Sequence, residues 1–556
     1  MKLHLRWQIM LAALGFVLIL AILSFQVQTA NLCVTRVPAA GGVFAEGVVG
    51  APQYLNPLLS DPNPVDRELV SLVFDGLTAV NESGHFIPAL AEKWEVSEDG
   101  RTIRFTLHDD AVWHDGEPVT ATDVVFSYSL LQEEAFPTSP ALKALWQSVS
   151  INQISDTAVE FILSEPYAPF LEATTRGILP AHLLADVPAA EIATHPFNQM
   201  PVGTGPWMVK PDQNWPQTYR LQLEPNPLNW REGTLISTLE FRFYPDDKTV
   251  ADALAAAEIQ AINSVAAATL PQVAALPDSR LFTAESPRYT MLLFNLTNSA
   301  VSEAVEIRQA LAYALDREQM IDEALNGQGV PFEGPYLPSS WAYNPAQLSP
   351  YTHDPVTATQ RLDAAGWTLP EGQTIRQKDG TPLTLTLLTL AVEPFTSQAE
   401  TIAAQWAEVG VQTHISATTS IDDLRNGLEA GLFDVALVEV APNADPDLYD
   451  FWSQEAIIRG QNYAGWNNRR ASEALESARQ VWGEAERRPY YDTFLRLFNT
   501  QLPALTLYRH VYTYGLSQEV EQAEIGKIQN PRDRYTTFAD WLLLYRDVTI
   551  SCPAAG

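Results

Sequence analysis

Residues 111–127 read AVWHDGEPVTATDVVFS and hold a tryptophan, a histidine, two aspartates and a glutamate. Such a set could ligate a metal or move protons if the fold turned the side chains to one point. The spacing argues for another role. Asp115-Gly116 is a hairpin-turn dipeptide. Thr120, three residues before Asp123, is a capping signature ahead of an apolar run containing Val124, Val125, Phe126 and Tyr128. A metal site needs further ligands at defined spacing, and the 9 histidines are scattered without HExxH or paired cysteines. The stretch reads as a turn and a helix start, and neither metal nor cofactor is expected.

Other catalytic patterns are missing from the sequence. There is no GxSxG elbow, no GxxxxGK[ST] loop and no GxGxxG after a strand. Gly203-Thr-Gly205-Pro206-Trp207 is the nearest glycine-rich piece, but Pro206 lacks an N–H and no helical pattern follows. With 67 acidic residues, any single carboxylate pair is uninformative.

The elements that would position a site are clearer. RTIRFTL (101–107) alternates apolar and polar residues as a half-buried strand does. LTLTLLTL (383–390) predicts a strand. A helix follows with Ala399, Ile402, Ala403, Trp406 and Val409 on one face, closed by Gly410. VQTHIS (411–416), IDDLRNGLEA (421–430) and FDVALVEV (433–440) complete a β-α-β-α-β series, which implies a parallel sheet with helices on its faces. Ligands in such sheets sit beyond the carboxyl ends of strands. The loop APNADPDLYDFW (441–452) is therefore a ligand-site candidate, with a Pro-bounded surface loop as the alternative.

A chain of 556 residues suffices for roughly three or four domain-sized units. Hydrophobic residues at 46% and charged residues at 18% are those of a globular protein. The formal charge of -33 excludes a nucleic-acid partner and leaves small solutes, peptides or cations. Lys2 and Arg6 precede the apolar run IMLAALGFVLILAILSF (9–25), an export or anchoring signal. VQTA before Asn31 and TANLC before Cys33 are both poor processing sites, so an uncleaved anchor is expected, with the rest of the chain outside the cytoplasm. Residues 33–43 read as a spacer. Cys33 and Cys552, the only cysteines, are a candidate disulfide or two separate thiols in the tails.

The order of landmarks after Val43 resembles the extracellular solute-binding proteins of family 5, the peptide-, dipeptide- and nickel-binding components of ABC importers. LNPLLS (55–60), LVFDGL (72–77) and IPALAEKWEVSEDGRTIRFTLHDDAVWHDGEPVTATDVVFS (87–127) carry the resemblance first. GTGPW (203–207), PNPLNW (225–230), IRQALAYALDREQMIDEALNGQGVP (307–331), DPDLYDFW (445–452) and NYAGWN (462–467) follow.

The resemblance implies an α/β, two-lobed fold of the type II periplasmic-binding-protein kind, with an extra third domain and the N-terminal transmembrane or signal-anchor helix ahead of it. It divides the chain into an anchor (1–30), a spacer (31–43), domain I (44–74, 201–285 and 506–556), domain II (75–200) and a second lobe, domain III (286–505). Both termini then lie on one lobe, which favours the Cys33–Cys552 bridge. The implied function is that of a monomeric, non-enzymatic, extracytoplasmic protein that captures peptides or peptide-like solutes by hinge closure. Two permease subunits with their ATPase subunits would receive the solute. A sugar, opine or chelated metal is the alternative solute, and an exported enzyme or sensor the alternative class.

The resemblance also names candidate ligand residues. The position of the relatives' amine-binding Asp is Pro442 here, and the Trp three residues earlier is Glu439. The expected contacts are therefore the backbone of Val438, Glu439, Val440 and Ala441, with charge from Glu439, Asp445 or Asp447. Asp61 and Asn63, in SDPNPVD (60–66), would face the solute from the first lobe, and Trp452 and Trp466 would wall the cleft or pack in the core.

Overall fold

The computed structural model describes residues 2–30, 32–81, 83–228, 234–297, 299–526, 528, 531–535 and 537–551; the side chains of 2–6, 9, 25–30, 32, 531, 532 and 549–551 are outside the description. Two long strands, Ser279–Phe294 and Ala504–Ser517, pair antiparallel and run through both halves of the molecule. Their register breaks between Glu285 and Tyr289, and a bulge of this kind bends a strand. The neighbours change at the break. Before it, Ala504–Ser517 passes on to Ala261–Ile262, Val43–Val49, Thr238–Tyr244, Arg220–Pro225 and Trp207–Val209. After it, Ser279–Phe294 passes on to Val435–Val440, Thr384–Leu390 and Gln412–Thr418. The whole is one 11-stranded sheet that serves two lobes.

Each lobe closes over its own core. Phe44, Leu69, Phe105, Trp113, Trp146, Phe241 and Trp541 belong to the first. The second lobe packs on both faces of its sheet, around Trp406 and Leu437 on one side and Tyr491, Phe494 and Trp466 on the other. The β-α-β-α-β series forms as read: Thr384–Leu390 pairs parallel with Gln412–Thr418 and with Val435–Val440, and helices Phe395–Glu408 and Ile421–Glu429 connect them. Ala399, Ile402 and Trp406 are the buried face of the longer helix.

A four-stranded antiparallel sheet packs onto the first lobe, in the order Ala91–Val96, Thr102–Leu107, Ala158–Leu163, Val149–Ser155. The alternation in RTIRFTL is realised, with Ile103, Phe105 and Leu107 buried. The His-Asp-Gly-Glu stretch is scaffold. Gly116 turns the chain at φ +90 and donates to the Trp113 carbonyl at 2.9 Å, and Thr120 and Asp123 form the capping box of helix Ala121–Leu130. His114 fastens this turn to the glycine-rich piece, with its ring nitrogens 3.1 Å from the Gly203 N–H and 3.1 Å from the Gly205 carbonyl. A Cβ on Gly203 would stand 1.9 Å from the Val73 carbonyl oxygen, so close backbone approach accounts for that glycine.

The termini depart from the reading. The expected spacer (31–43) contains a strand, Leu32–Ala39, that pairs antiparallel with Leu544–Ser551 in a separate two-stranded ribbon. Cys33 is disulfide-bonded, and the pairing brings the chain to Ser551 opposite Leu32; Cys552 itself lies outside the described residues. Lys2–Ala30 is a helix of 29 residues. Among the described residues no helix is long and apolar enough to cross a membrane.

Candidate functional site

Between the lobes lies a cleft of about 1060 Å³, just above the roughly 300–1,000 Å³ of small-molecule sites. Three walls build it. Residues 57–79 supply Pro57, Asp61, Arg67 and Asp75; residues 167–177 supply Tyr167, Glu172 and Arg176; the second lobe supplies Tyr336, Ser339 and residues 441–448. Arg288 projects from the bulge where the two long strands cross between lobes.

The lobes touch across this cleft. The Asp445 N–H donates to the Glu172 carboxylate at 3.0 Å. The Ala168 N–H donates to the Arg479 carbonyl at 2.7 Å, and Trp482 Nε1 donates to the Gly100 carbonyl at 2.9 Å. His85 stands 3.4 Å from Glu484, and the Arg479 guanidinium lies 5.4 Å from the Tyr167 ring centre. Burial lifts the Glu172 carboxyl to about 7, against the pull of the Asp445 N–H.

Several expected ligand residues have other work. Asp445 is 4% exposed and accepts two hydrogen bonds from the Arg487 guanidinium, each 2.7 Å, while also accepting from the Asp447 N–H at 3.0 Å. Its carboxylate holds the loop to helix Glu484–Gln501, so the charge is already neutralised inside the lobe. Asp447 lines the cleft but pairs with Arg479 at 2.7 Å, and burial raises its carboxyl to about 6. Glu439 pairs with Arg288 and with His510, each at 3.2 Å. Among the described residues the cleft lining takes Ala441 through Leu448 but not Val438, Glu439 or Val440. Val440 is buried in the second-lobe core.

Asp61 does line the cleft, held by Arg176 through two 2.8 Å bonds. Asn63 does not line it. This residue caps helix Pro64–Val73, accepting from the Val65 N–H at 2.9 Å and donating to the Ala51 carbonyl at 2.9 Å. Trp452 and Trp466 are each 3% exposed and meet edge to face at 6.2 Å, so both are core residues and neither walls the cleft. Glu172, Arg176, Arg67, Arg288 and Tyr336 are cleft residues that sequence reasoning missed. Nothing in local spacing marks them, because each owes its place to contacts between distant segments.

Arg534 and Glu68 also line the cleft; Arg534 joins Glu46 at 2.5 Å and bonds Glu68, and Tyr514 and Tyr535 donate to Glu46 at 2.6 and 2.8 Å. This cluster ties the C-terminal segment to the first strand and the first cleft helix. Among the described residues no group of three or more His, Cys, Asp or Glu is placed to hold a metal ion.

Two lobes on a shared pair of strands, meeting over a large cleft, are the form in which solutes are enclosed by hinge closure. The family model described as "Bacterial extracellular solute-binding proteins, family 5 Middle" matches residues 85–456. The chain belongs to that family. It is 26% identical over 519 residues to the oligopeptide-binding protein AppA of Bacillus subtilis, covering 91% of this chain and 92% of that protein. It is 29% identical over 365 residues to the nickel-binding periplasmic protein of Escherichia coli, covering 65% and 68%. The fold is also that of the solved AppA structure in complex with a nonapeptide, with a TM-score of 0.71 and 23% identity, covering 91% of this chain and all of that one. As a family 5 solute-binding protein, the chain is extracytoplasmic.

Proposed function

We propose that this protein captures peptides or peptide-like solutes in the interlobe cleft and delivers them to a permease pair driven by ATPase subunits. The observation that carries the reading is the cleft itself. Its walls come from both lobes, and the Glu172–Asp445 bond joins them across it. A volume of about 1060 Å³ suits a solute of several residues better than a single ion. The named relatives include an oligopeptide-binding protein and dipeptide-binding proteins, which supports a peptide solute.

On this reading the protein works as a monomer without enzymatic activity. The lobes divide near 285 and 505, and the helix Lys2–Ala30 retains the protein at the membrane, where tethering raises its effective concentration at the permease. The test is energy transfer in the full chain between labels at Glu95 and Glu473, exposed positions on opposite lobes. A mixture of di- to hexapeptides should shorten the mean distance. An unchanged distribution with every peptide would overturn closure around a peptide.

A further inference from the structure

One short segment of the second lobe, residues 479–484, reaches the first lobe three times. The Arg479 carbonyl accepts from the Ala168 N–H at 2.7 Å, Trp482 Nε1 donates to the Gly100 carbonyl at 2.9 Å, and Glu484 stands 3.4 Å from His85. The segment links helix Arg469–Arg479 to helix Glu484–Gln501. Leu475 and Ala478 of one helix and Tyr491 and Leu495 of the other are buried in the second-lobe core, so the link is mounted on packed helices and moves with that lobe.

Its targets are turns of the first lobe. Gly100 lies between strands Ala91–Val96 and Thr102–Leu107 at φ +71, and Ala168 follows strand Ala158–Leu163. A Cβ on Gly100 would stand 3.0 Å from Trp482 Nε1 and 3.2 Å from Cδ1, so the indole rests directly on the turn. Trp482 belongs to the second lobe by sequence, yet its ring packs against the first-lobe core. Among the described residues, Trp482, Gly100 and Ala168 are outside the cleft lining, so this contact reads the position of the lobes and not the solute.

An indole gains both burial and a partner for its one N–H when the second surface arrives, and loses both when that surface leaves. Tryptophan is for this reason a leading contributor at interfaces. The His85–Glu484 pair, with side chains 43% and 47% exposed, adds little beside it. A contact made only in the closed form slows opening and leaves the encounter with solute alone, so it acts on dissociation.

We propose that residues 479–484 form a strap that latches the second lobe onto the first outside the cleft, and that Trp482 fixes how long the closed form lasts. The proposal rests on the cleft closing over its solute and adds the element that holds it shut.

Hydrogen exchange in the full chain reads the latch without a ligand, because the Ala168 N–H is bonded to the opposite lobe and is released when the lobes part. W482A should speed exchange at Ala168 roughly tenfold or more, and leave strand Thr102–Leu107 and helix Glu484–Gln501 as in the parent. W482F, which keeps a ring and loses the N–H, should fall between. Energy transfer between labels at Glu95 and Glu473 then times the release of peptides from the di- to hexapeptide mixture. W482A should raise the dissociation rate roughly tenfold and hold the association rate within about threefold.

Unchanged exchange at Ala168 in W482A overturns the latch. Exchange that rises equally through Thr102–Leu107 also overturns it, because Trp482 would then be a packing residue of the fold. Faster exchange with an unchanged peptide dissociation rate overturns the control of release. If the parent protein binds no peptide, the peptide reading fails, and exchange at Ala168 alone decides the strap.

Discussion

Replacing Asp445 by asparagine separates a ligand-binding role from a structural one. In the structure both carboxylate oxygens take bonds from Arg487 at 2.7 Å, and Asp445 and Arg487 are 4% and 3% exposed. Arg487 is further engaged by the Ala478 carbonyl at 3.0 Å and by the Tyr491 hydroxyl at 2.6 Å, and it lies 5.2 Å from the Trp341 ring centre. Asparagine keeps one acceptor but not the charge, so a guanidinium is left buried without its counter-ion. Breaking such a pair costs about 3–5 kcal/mol, and the retained acceptor places D445N near the lower end. For a lobe of this size that is a fall in melting temperature of roughly 6–12 °C.

Calorimetry of the full chain at neutral pH measures it. The double variant D445N/R487M should lose less than the two single losses combined, because the buried charge leaves with its partner. A D445N protein that melts within about 1 °C of the parent but binds solute tenfold more weakly would refute the reasoning and return Asp445 to the ligand.

Glu172 makes closure pH-dependent. Its carboxyl rises from 4.5 to about 7 on burial, so the closed form holds a proton that an open, solvated form releases. Closure is thus fully favoured below pH 4.5 and loses on the order of 3 kcal/mol, about a hundredfold in affinity, as pH rises through 7. Binding measured from pH 5 to 8 should show this slope, and the difference from E172Q isolates it from the titration of Asp447; parallel profiles in the two proteins would refute it. R534M leaves Glu46 and Glu68 buried without their cation and should destabilise the first lobe by about 3–5 kcal/mol in denaturant unfolding. W482F removes the bond to the Gly100 carbonyl and should widen the ligand-free distance distribution between Glu95 and Glu473 without lowering the melting temperature of either lobe.

What the sequence made legible was local. The Asp115-Gly116 turn, the Thr120–Asp123 cap and the alternation from Arg101 to Leu107 each depend on residues within a few positions, and each forms as read. The β-α-β-α-β series from 384 to 440 was equally legible, because helix and strand periods differ. The placement of the 441–452 loop at the cleft followed from strand-end geometry.

The side-chain roles were not legible. Asp445 meets Arg487 at 42 residues' distance and Glu172 at 273, and no spacing rule spans either interval. Trp452 and Trp466 show why aromatic residues near a site mislead: large apolar rings fill a core or wall a cleft equally well, and only packing decides. Residues 32–39 form a strand whose partner begins at residue 544, and a Pro-bearing segment followed by Gly41-Gly42 shows nothing of so distant a neighbour.

The central claim is that the interlobe cleft encloses one solute. Native mass spectrometry of the full chain with the di- to hexapeptide library tests it most directly, alongside S339W, which sets an indole into the cleft wall beside Tyr336. The account predicts a one-to-one peptide adduct on the parent protein that vanishes in S339W while the fold persists. An adduct of equal abundance in S339W, or no adduct on the parent protein, would contradict it.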